Sequence, residues 1–416
     1  MSRQNPRHLR VFLDVVRQAS VTRAAERRNL SQSAVTQAIA KLERTAGVAL
    51  FQRGPGGLYP TEAGRTLAHR VERALRRLDT ALHPVSPRLA LTATATQMQA
   101  LIAVRETGSF TLAARRLGIA QPTVHRSVSQ LESEAGRQLF ERGTTGLRAI
   151  RACQALTDAA RLALAELDQG AMELAEMSGR DVGRIVVGSM PLSRSYVLPR
   201  AIAAFRATWP RILIRIEEGS YDDLLSGLRR GEIDFLIGAL RPRLAIADVA
   251  QQVLFDDDLV LVVGLDHPLA RRRDPTLADL ARHPWIVARP GAPTRTVFDA
   301  LFSPPAARPD SIVETGSLIL MRQLLRHSDH IGCISRLQAA PEIDHGLMVP
   351  LSFELAGSTR PVGVTTRADW YPTRSQRAFL TEVERVAAAP SYPGFSGGRA
   401  VLVPVMPPAF HEGQTD

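Results

Sequence analysis

Gln32, Ser33, Thr36 and Gln37 fall on one side of any helix that buries Val35, Ile39 and Leu42, which recur at i, i+4 and i+7. Side-chain amides and hydroxyls both donate and accept hydrogen bonds. That suits them to reading base edges in the major groove, whereas a helix turned only to solvent more often carries Glu and Lys. Ser31 stands at the N-cap position before this helix. Arg53 lies in a segment, Leu50-Phe51-Gln52-Arg53, that a Gly-Pro-Gly-Gly turn folds into a hairpin, from which a guanidinium reaches a phosphate or the minor groove. A second set, Gln121, Thr123, His125 and Arg126 with Arg142 beyond it, repeats the pattern with more charge. The same residues also fit a basic helical module that packs against protein.

A different chemistry is spread along the second half. Short β-branched runs at 184–188, 212–217, 233–238, 259–263, 285–288, 312–314 and 331–334 alternate with helical stretches, and predict a parallel, doubly wound sheet in two lobes. Ligands of open α/β sheets bind beyond the carboxyl ends of the strands. The residues there are Ser189, Met190, Ser220, Gly238, Pro290, Thr294, Thr315, Ser317 and Ser335. Hydroxyls and glycines dominate, as a small polar ligand requires, although each one alone also reads as a helix cap or turn residue.

Catalytic constellations are poor. Gly394-Phe395-Ser396-Gly397-Gly398 fits G-x-S-x-G in form but stands in a Pro- and Gly-rich tail, without the strand and helix that motif needs. Asp256-Asp257-Asp258 lacks the glycine and distal Glu of a calcium loop and reads as a solvated turn. Glu217-Glu218 points two ways at a strand end, with no acid/base partner at a defined spacing. Lys41 is the only lysine and has no glycines before it, so a Walker A loop loses its central residue. Cys153 and Cys333, 180 positions apart, make neither a disulfide framework nor a zinc site. No cofactor, no metal and no enzyme activity are expected.

The elements that must position these residues repeat. At a constant offset of 89 residues, positions 15 to 58 share 18 identities with the second copy, including Ala24-Ala25 with Ala113-Ala114, Leu42-Glu43 with Leu131-Glu132, and Leu50-Phe51 with Leu139-Phe140. Each copy reads as three short helices, a hairpin and an amphipathic helix, at 61–82 and 151–177. The copies differ at Ala120, in place of Ser31, and at Ile150 and Cys153, in place of Thr61 and Gly64.

Charge follows the same division. Residues 1–90 hold 16 Lys and Arg against 6 Asp and Glu, residues 91–180 hold 10 against 9, and the rest hold 26 against 26. A field concentrated on one small module suits a phosphate backbone or an anionic membrane surface. The longest apolar runs fall far short of the roughly 20 residues that span a bilayer, and the first ten residues carry no apolar stretch. A cytoplasmic protein with no membrane partner is expected.

The segment from His8 to Gly64, with its S-Q-S-A, L-E, G-x-x-L-F-x-R and T-x-x-G elements, closely resembles the DNA-binding region of LysR-type transcriptional regulators, and Gly108 to Leu147 resembles it again. Residues 183 to about 388, with VGSMPLSRSYVLPRAIAAF, LLSGLRRGEIDFLIG and LVLVVGLDHPLA, resemble the effector domain of that family. They look nearest the branch that includes the galactose-binding-protein regulator. The resemblance implies two tandem winged helix-turn-helix domains, at 1–85 and 91–178. It implies a two-lobed, periplasmic-binding-protein-like (type 2) α/β effector domain at 182–388, and a disordered tail at 389–416 follows from composition. It implies double-stranded DNA and a small-molecule effector, a sugar or small organic acid, as partners. It also implies linker helices that pair with those of a second subunit in a homodimer or homotetramer. The alternative is a solute-binding or enzymatic α/β domain whose helical modules bind protein rather than DNA.

Overall fold

The computed structural model describes residues 4–144, 146–180, 183–241, 247–303 and 308–389. The Gly-Phe-Ser-Gly-Gly segment and nearly all of the tail lie outside them. Asn5 caps α1 (Pro6–Gln18), which leads to α2 (Val21–Arg28) and α3 (Gln32–Ala46). A hairpin of β1 (Phe51–Gly54) and β2 (Gly57–Pro60) precedes the long α4 (Glu62–Leu82). After the short α5 (Leu89–Thr92) the succession recurs as α6 (Ala95–Thr107), α7 (Phe110–Leu117), α8 (Gln121–Ala135), β3 (Phe140–Gly143), β4 (Gly146–Ala149) and α9 (Arg151–Met177).

The two units are closed by the same bonds. The carboxylate of Glu43 accepts the Leu50 N–H at 2.8 Å, as Glu132 accepts that of Leu139 at 2.8 Å. The Leu58 N–H donates to the Ala19 carbonyl at 2.9 Å, as Leu147 donates to Gly108 at 2.9 Å. That approach leaves no room for a side chain: a Cβ on Gly57 would lie 2.4 Å from the Ala19 oxygen, and one on Gly146 2.8 Å from that of Gly108. Side-chain chemistry differs around this shared frame. Arg17 pairs with Glu72 in the first unit, and at the matching positions Glu106 pairs with Arg161, with the charges exchanged. Buried Asp14 holds Arg28 and Arg27, where the second unit has Ala103 and Leu117 in place of Asp14 and Arg28, and Arg116, in place of Arg27, pairs with Glu106 instead.

Neither long helix packs only on its own unit. α4 and α9 lie antiparallel, since Arg70 in the first half of α4 meets Glu166, Gly170 and Glu173 in the second half of α9. One apolar core runs through both units, from Leu9 to Leu174. Arg70 is fully buried within it.

The remaining elements are β5 (Arg184–Ser189), α10 (Pro191–Ser195), α11 (Val197–Thr208), β6 (Leu213–Glu218), α12 (Tyr221–Arg229), β7 (Phe235–Ala239), β8 (Val249–Asp257), β9 (Leu259–Val263), α13 (Leu277–Ala281), β10 (Trp285–Val287), α14 (Pro293–Leu301), β11 (Ile312–Glu314), α15 (Leu318–His327), β12 (Ile331–Ser335), α16 (Arg336–Asp344), β13 (Val349–Pro350), β14 (Arg360–Arg367) and α17 (Arg374–Ala388). They build two five-stranded sheets, ordered β6-β5-β7-β14-β8 and β11-β10-β12-β9-β13.

The sheets are mixed, which corrects the expectation of a parallel one. β5 is parallel to β6 and β7, and β10 to β11 and β12, but β14 runs antiparallel to β7 and β8, and β9 antiparallel to β12 and β13. The reason is the route of the chain. It crosses between lobes after β8 and returns at β14, so these strands do not enter through the helical crossover that a parallel neighbour needs.

The second half docks on the paired helices. Arg70 donates to the Tyr371 carbonyl at 2.8 Å and its guanidinium lies over the Tyr371 ring, while Gln169 donates to Asp234 at 3.2 Å. Glu176, at the end of α9, accepts the Ser375 N–H at 3.3 Å and its hydroxyl. Burial, opposed by the two Ser375 bonds, holds the Glu176 carboxyl above its ordinary 4.5. A raised acid favours the folded state most below its ordinary value, and that contribution is lost as pH rises through the raised one. Glu176→Gln, whose amide oxygen still accepts from Ser375, should therefore gain thermal stability relative to the unaltered chain as the pH rises above the ordinary 4.5. A difference in midpoint that does not change with pH would show that this carboxyl titrates normally.

Candidate nucleic-acid interface and inter-lobe cleft

Ser31 caps α3, its hydroxyl accepting the Ala34 N–H at 3.2 Å and bonding to the Ser33 hydroxyl at 2.9 Å. Gln32, Ser33, Thr36 and Gln37 are exposed while Val35, Ile39 and Leu42 are buried, as the helical spacing predicts. Thr36 donates to the Gln32 carbonyl at 2.9 Å, so its methyl and a lone pair are what it offers outward. Arg53 is exposed on β1. Beyond the hairpin, Thr61 caps α4 by accepting the Gly64 N–H at 3.0 Å.

In the second unit α8 begins at Ala120 without a side-chain cap, and Ile150 likewise gives α9 none. Gln121, Thr123, His125 and Arg126 are exposed, as is Arg142 on β3. The His125 ring tilts against Phe110 at 5.0 Å and its Nδ1 lies 3.3 Å from the Ser129 hydroxyl, so its orientation is set from within the unit. Net charge understates this surface. Arg115, Arg116, Arg126, Arg137, Arg142, Arg148 and Arg151 are exposed here, although the first unit exposes more, with Arg7, Arg17, Arg23, Arg27, Lys41, Arg44, Arg53, Arg65, Arg76 and Arg88. The acids that cancel them include Glu106 and Glu132, which are engaged inside the unit.

The strand-end residues fall into separate groups. On one lobe, Ser189 is buried with its hydroxyl 3.1 Å from that of Ser193, and Met190 packs over Gly238, where a Cβ would meet the Met190 Cγ at 2.3 Å. Ser220 caps α12 and donates to Asp223 at 2.6 Å. On the other lobe, Thr315 accepts the Ser317 N–H at 3.1 Å, and Ser317, exposed, caps α15. Pro290 is exposed and Thr294 is half-buried in the first turn of α14. Ser335 is set apart, fully buried where the chain crosses between lobes, and it hydrogen-bonds Asp257.

Asp257 does not lie in a solvated turn, as its acidic neighbours suggested. It is 3% exposed, accepts the Leu337 N–H at 3.3 Å and faces Arg360 at 3.4 Å, and burial pushes its carboxyl above the usual range against these partners. Arg241 is a further cleft residue that sequence did not single out. It donates to the Gly291 carbonyl at 3.0 Å and lies over the Tyr221 ring at 4.6 Å, so it ties the two lobes. Its place, two residues beyond β7, is a signal that the hydroxyls and glycines dominating the other strand ends mask.

Both cysteines are buried, and burial pushes the thiols of Cys153 and Cys333 up to about 12, far from nucleophilic use. Among the described residues no cluster of His, Cys, Asp and Glu fit to hold a metal ion occurs, and no helix is long and apolar enough to cross a membrane.

Comparison with known proteins gives this geometry a context. The model of the bacterial regulatory helix-turn-helix protein, lysR family, matches residues 6–65 and again 95–161, and that of the LysR substrate binding domain matches 178–388. The HTH-type transcriptional regulator GalR of Pseudomonas putida is 32% identical over 391 residues, covering 92% of this chain and 97% of that protein. CbbR of Xanthobacter flavus is 28% identical, covering 74% of this chain and 92% of its own length. Among solved structures, full-length OxyR from Pseudomonas aeruginosa shares the fold with a TM-score of 0.51 at 22% identity, over 71% of this chain and 95% of that one.

Proposed function

The chain belongs to the LysR family of DNA-binding transcriptional regulators, which carry an effector-binding domain, and from that premise we propose a division of labour within it. Regulators of this family are not enzymes. Residues 1–85 and 91–178 act as two winged helix-turn-helix domains, products of a duplication, and both contact double-stranded DNA. Residues 182–388 sense a small polar metabolite, a sugar or small organic acid, between their lobes, in a cytoplasmic protein that assembles as a homodimer or homotetramer.

The observation that carries the DNA assignment is the exposed, uncharged face of α3, with Gln32, Ser33, Thr36 and Gln37 on a helix capped by Ser31. Support for a second DNA contact is the same order of elements in α6 to α9 and the second match of the helix-turn-helix model. The uncapped start of α8 argues for unequal work, since a missing cap costs roughly 0.5 to 2 kcal/mol of helix stability. Gln32→Ala should therefore lower the ratio of specific to random-duplex binding more than Gln121→Ala, one lost bidentate contact being worth about 1 to 3 kcal/mol. Binding of both variants to operator and random duplex at one salt concentration measures this. An equal or larger effect of Gln121→Ala reverses the ranking.

For the effector, Ser189 and Ser317 are the hydroxyls we assign to the ligand, one from each lobe. Losing a hydrogen bond to a buried polar group of the ligand weakens binding by about 1 to 3 kcal/mol. Calorimetric titration of Ser189→Ala and Ser317→Ala with sugars and small organic acids tests the assignment, and unchanged affinity in both variants places the site elsewhere.

A further inference from the structure

The small apolar cavity between the two N-terminal units has an unusual lining. Leu9 and Met98 face it, as do Leu75 and Leu164, and Leu78 and Leu167. Each pair is separated by 89 residues, the offset of the repeat. Matching positions of two units line one cavity in this way only where an approximate two-fold axis passes through it. The contacts at the helix ends are reciprocal in the same sense. Arg180, just past α9, donates to the Ala46 carbonyl at the end of α3 at 3.0 Å, and Arg137, just past α8, donates to the Pro84 carbonyl just past α4 at 3.4 Å. Such reciprocity is the mark of an isologous interface, here formed inside one chain.

We infer that a single chain is a complete two-headed DNA reader, whose α3 and α8 are related by this internal axis and occupy two unequal half-sites of an imperfect palindrome. The inference rests on the DNA-binding reading above and adds to it the stoichiometry and the symmetry of the operator. Two readers related by a dyad match inverted half-sites, because the duplex has dyads of its own. The apolar face of α4 that would pair with another subunit is already filled by α9, so this pairing needs no second copy. The halves are unequal because the readers are. Gln32 and Gln121 match across the repeat, but Thr36 matches His125 and Gln37 matches Arg126. Arg126 favours guanine, which Gln37 does not.

Selection of duplexes by the full-length chain from a random-sequence pool, followed by native mass spectrometry of the chain on the enriched duplex, tests this. We expect two inverted half-sites per bound chain, sharing one position and differing at others. Two chains joined through another surface would then cover four. We further expect Gln121→Ala to relax discrimination at one half and Gln32→Ala at the other, each by roughly 5- to 150-fold. One half-site per chain, or two identical halves, overturns the inference while leaving DNA binding in place. The stoichiometry is read on the unaltered chain, so it stands even if a variant misfolds. A pool with no enriched sequence overturns the DNA-binding reading itself, and the inference with it.

Discussion

Replacing Arg70 with methionine should destabilise the paired helices by about 3 to 5 kcal/mol, the usual cost of removing one partner from a buried ion pair. The side chain is fully buried, with Nη1 2.8 Å from Glu166 and Nε 2.9 Å from Glu173, both on α9. Methionine fills much of the volume but leaves Glu173 without this partner and Glu166 with only Arg73, at 3.1 Å. It also removes the bond to the Tyr371 carbonyl, and so loosens the docking of the effector domain. Arg70→Lys restores the charge but not the fork that serves two carboxylates and a carbonyl at once, and should recover only part of the loss. Adding Glu173→Gln to the methionine variant removes the stranded charge and should recover more. A chain of several units does not unfold in one transition, so hydrogen exchange within α4 and α9 is the fitting measurement. Unchanged protection there would mean that the apolar core alone holds the two helices together.

Much of the candidate recognition surface was legible in the sequence because helical burial has a strict period. Val35, Ile39 and Leu42 dictate which side of α3 is exposed, and the offset of 89 transfers that argument to α8 almost residue by residue. The missing caps at Ala120 and Ile150 follow directly from side chains that cannot accept an N–H. Seven of the ten strands described in the second half, all but β8, β13 and β14, were also legible, since buried β-branched runs have few alternatives. Their directions were not, because direction depends on which lobe the chain enters from, and no local residue encodes that. Asp257 misled for a similar reason: three consecutive carboxylates look solvated until Arg360, more than a hundred residues away, is placed beside one of them.

What apolar spacing cannot specify is the partner of an apolar face. The stripes of α4 and α9 are equally compatible with a second subunit, with their own unit, or with each other. The decisive residue, Arg70, is one of 51 arginines, and nothing in its neighbourhood separates it from the exposed ones. Arg241 was hidden differently. Its partner Gly291 is 50 residues away on the other lobe, and only the closed geometry brings them together.

The strongest dependence we expect is on salt. Lys and Arg side chains that neutralise phosphates release condensed counterions, and roughly six to ten such contacts lose about 10³- to 10⁵-fold in affinity between about 50 and 200 mM salt. The first unit exposes Arg7, Arg23, Lys41, Arg44, Arg53 and Arg65 among others, and the second exposes a smaller set that includes Arg126, Arg137, Arg142 and Arg148. Removing a phosphate contact lowers the slope by about one unit for all duplexes, whereas removing a base contact changes the preference among them. Arg53→Ala and Arg142→Ala belong to the first kind if the two hairpins flank the duplex, and Gln32→Ala to the second. The same logic separates a DNA regulator from a solute-binding protein whose basic modules hold protein, since burial of an apolar protein interface responds far less to salt.

The most direct test of the account is the affinity of the full chain for duplex DNA from beside its own gene, measured across that salt range. A steep linear fall of log K with log salt, with the slope reduced by about one in Arg53→Ala, is the result the account predicts. Weak binding whose slope is shallow and unchanged in Arg53→Ala would contradict it.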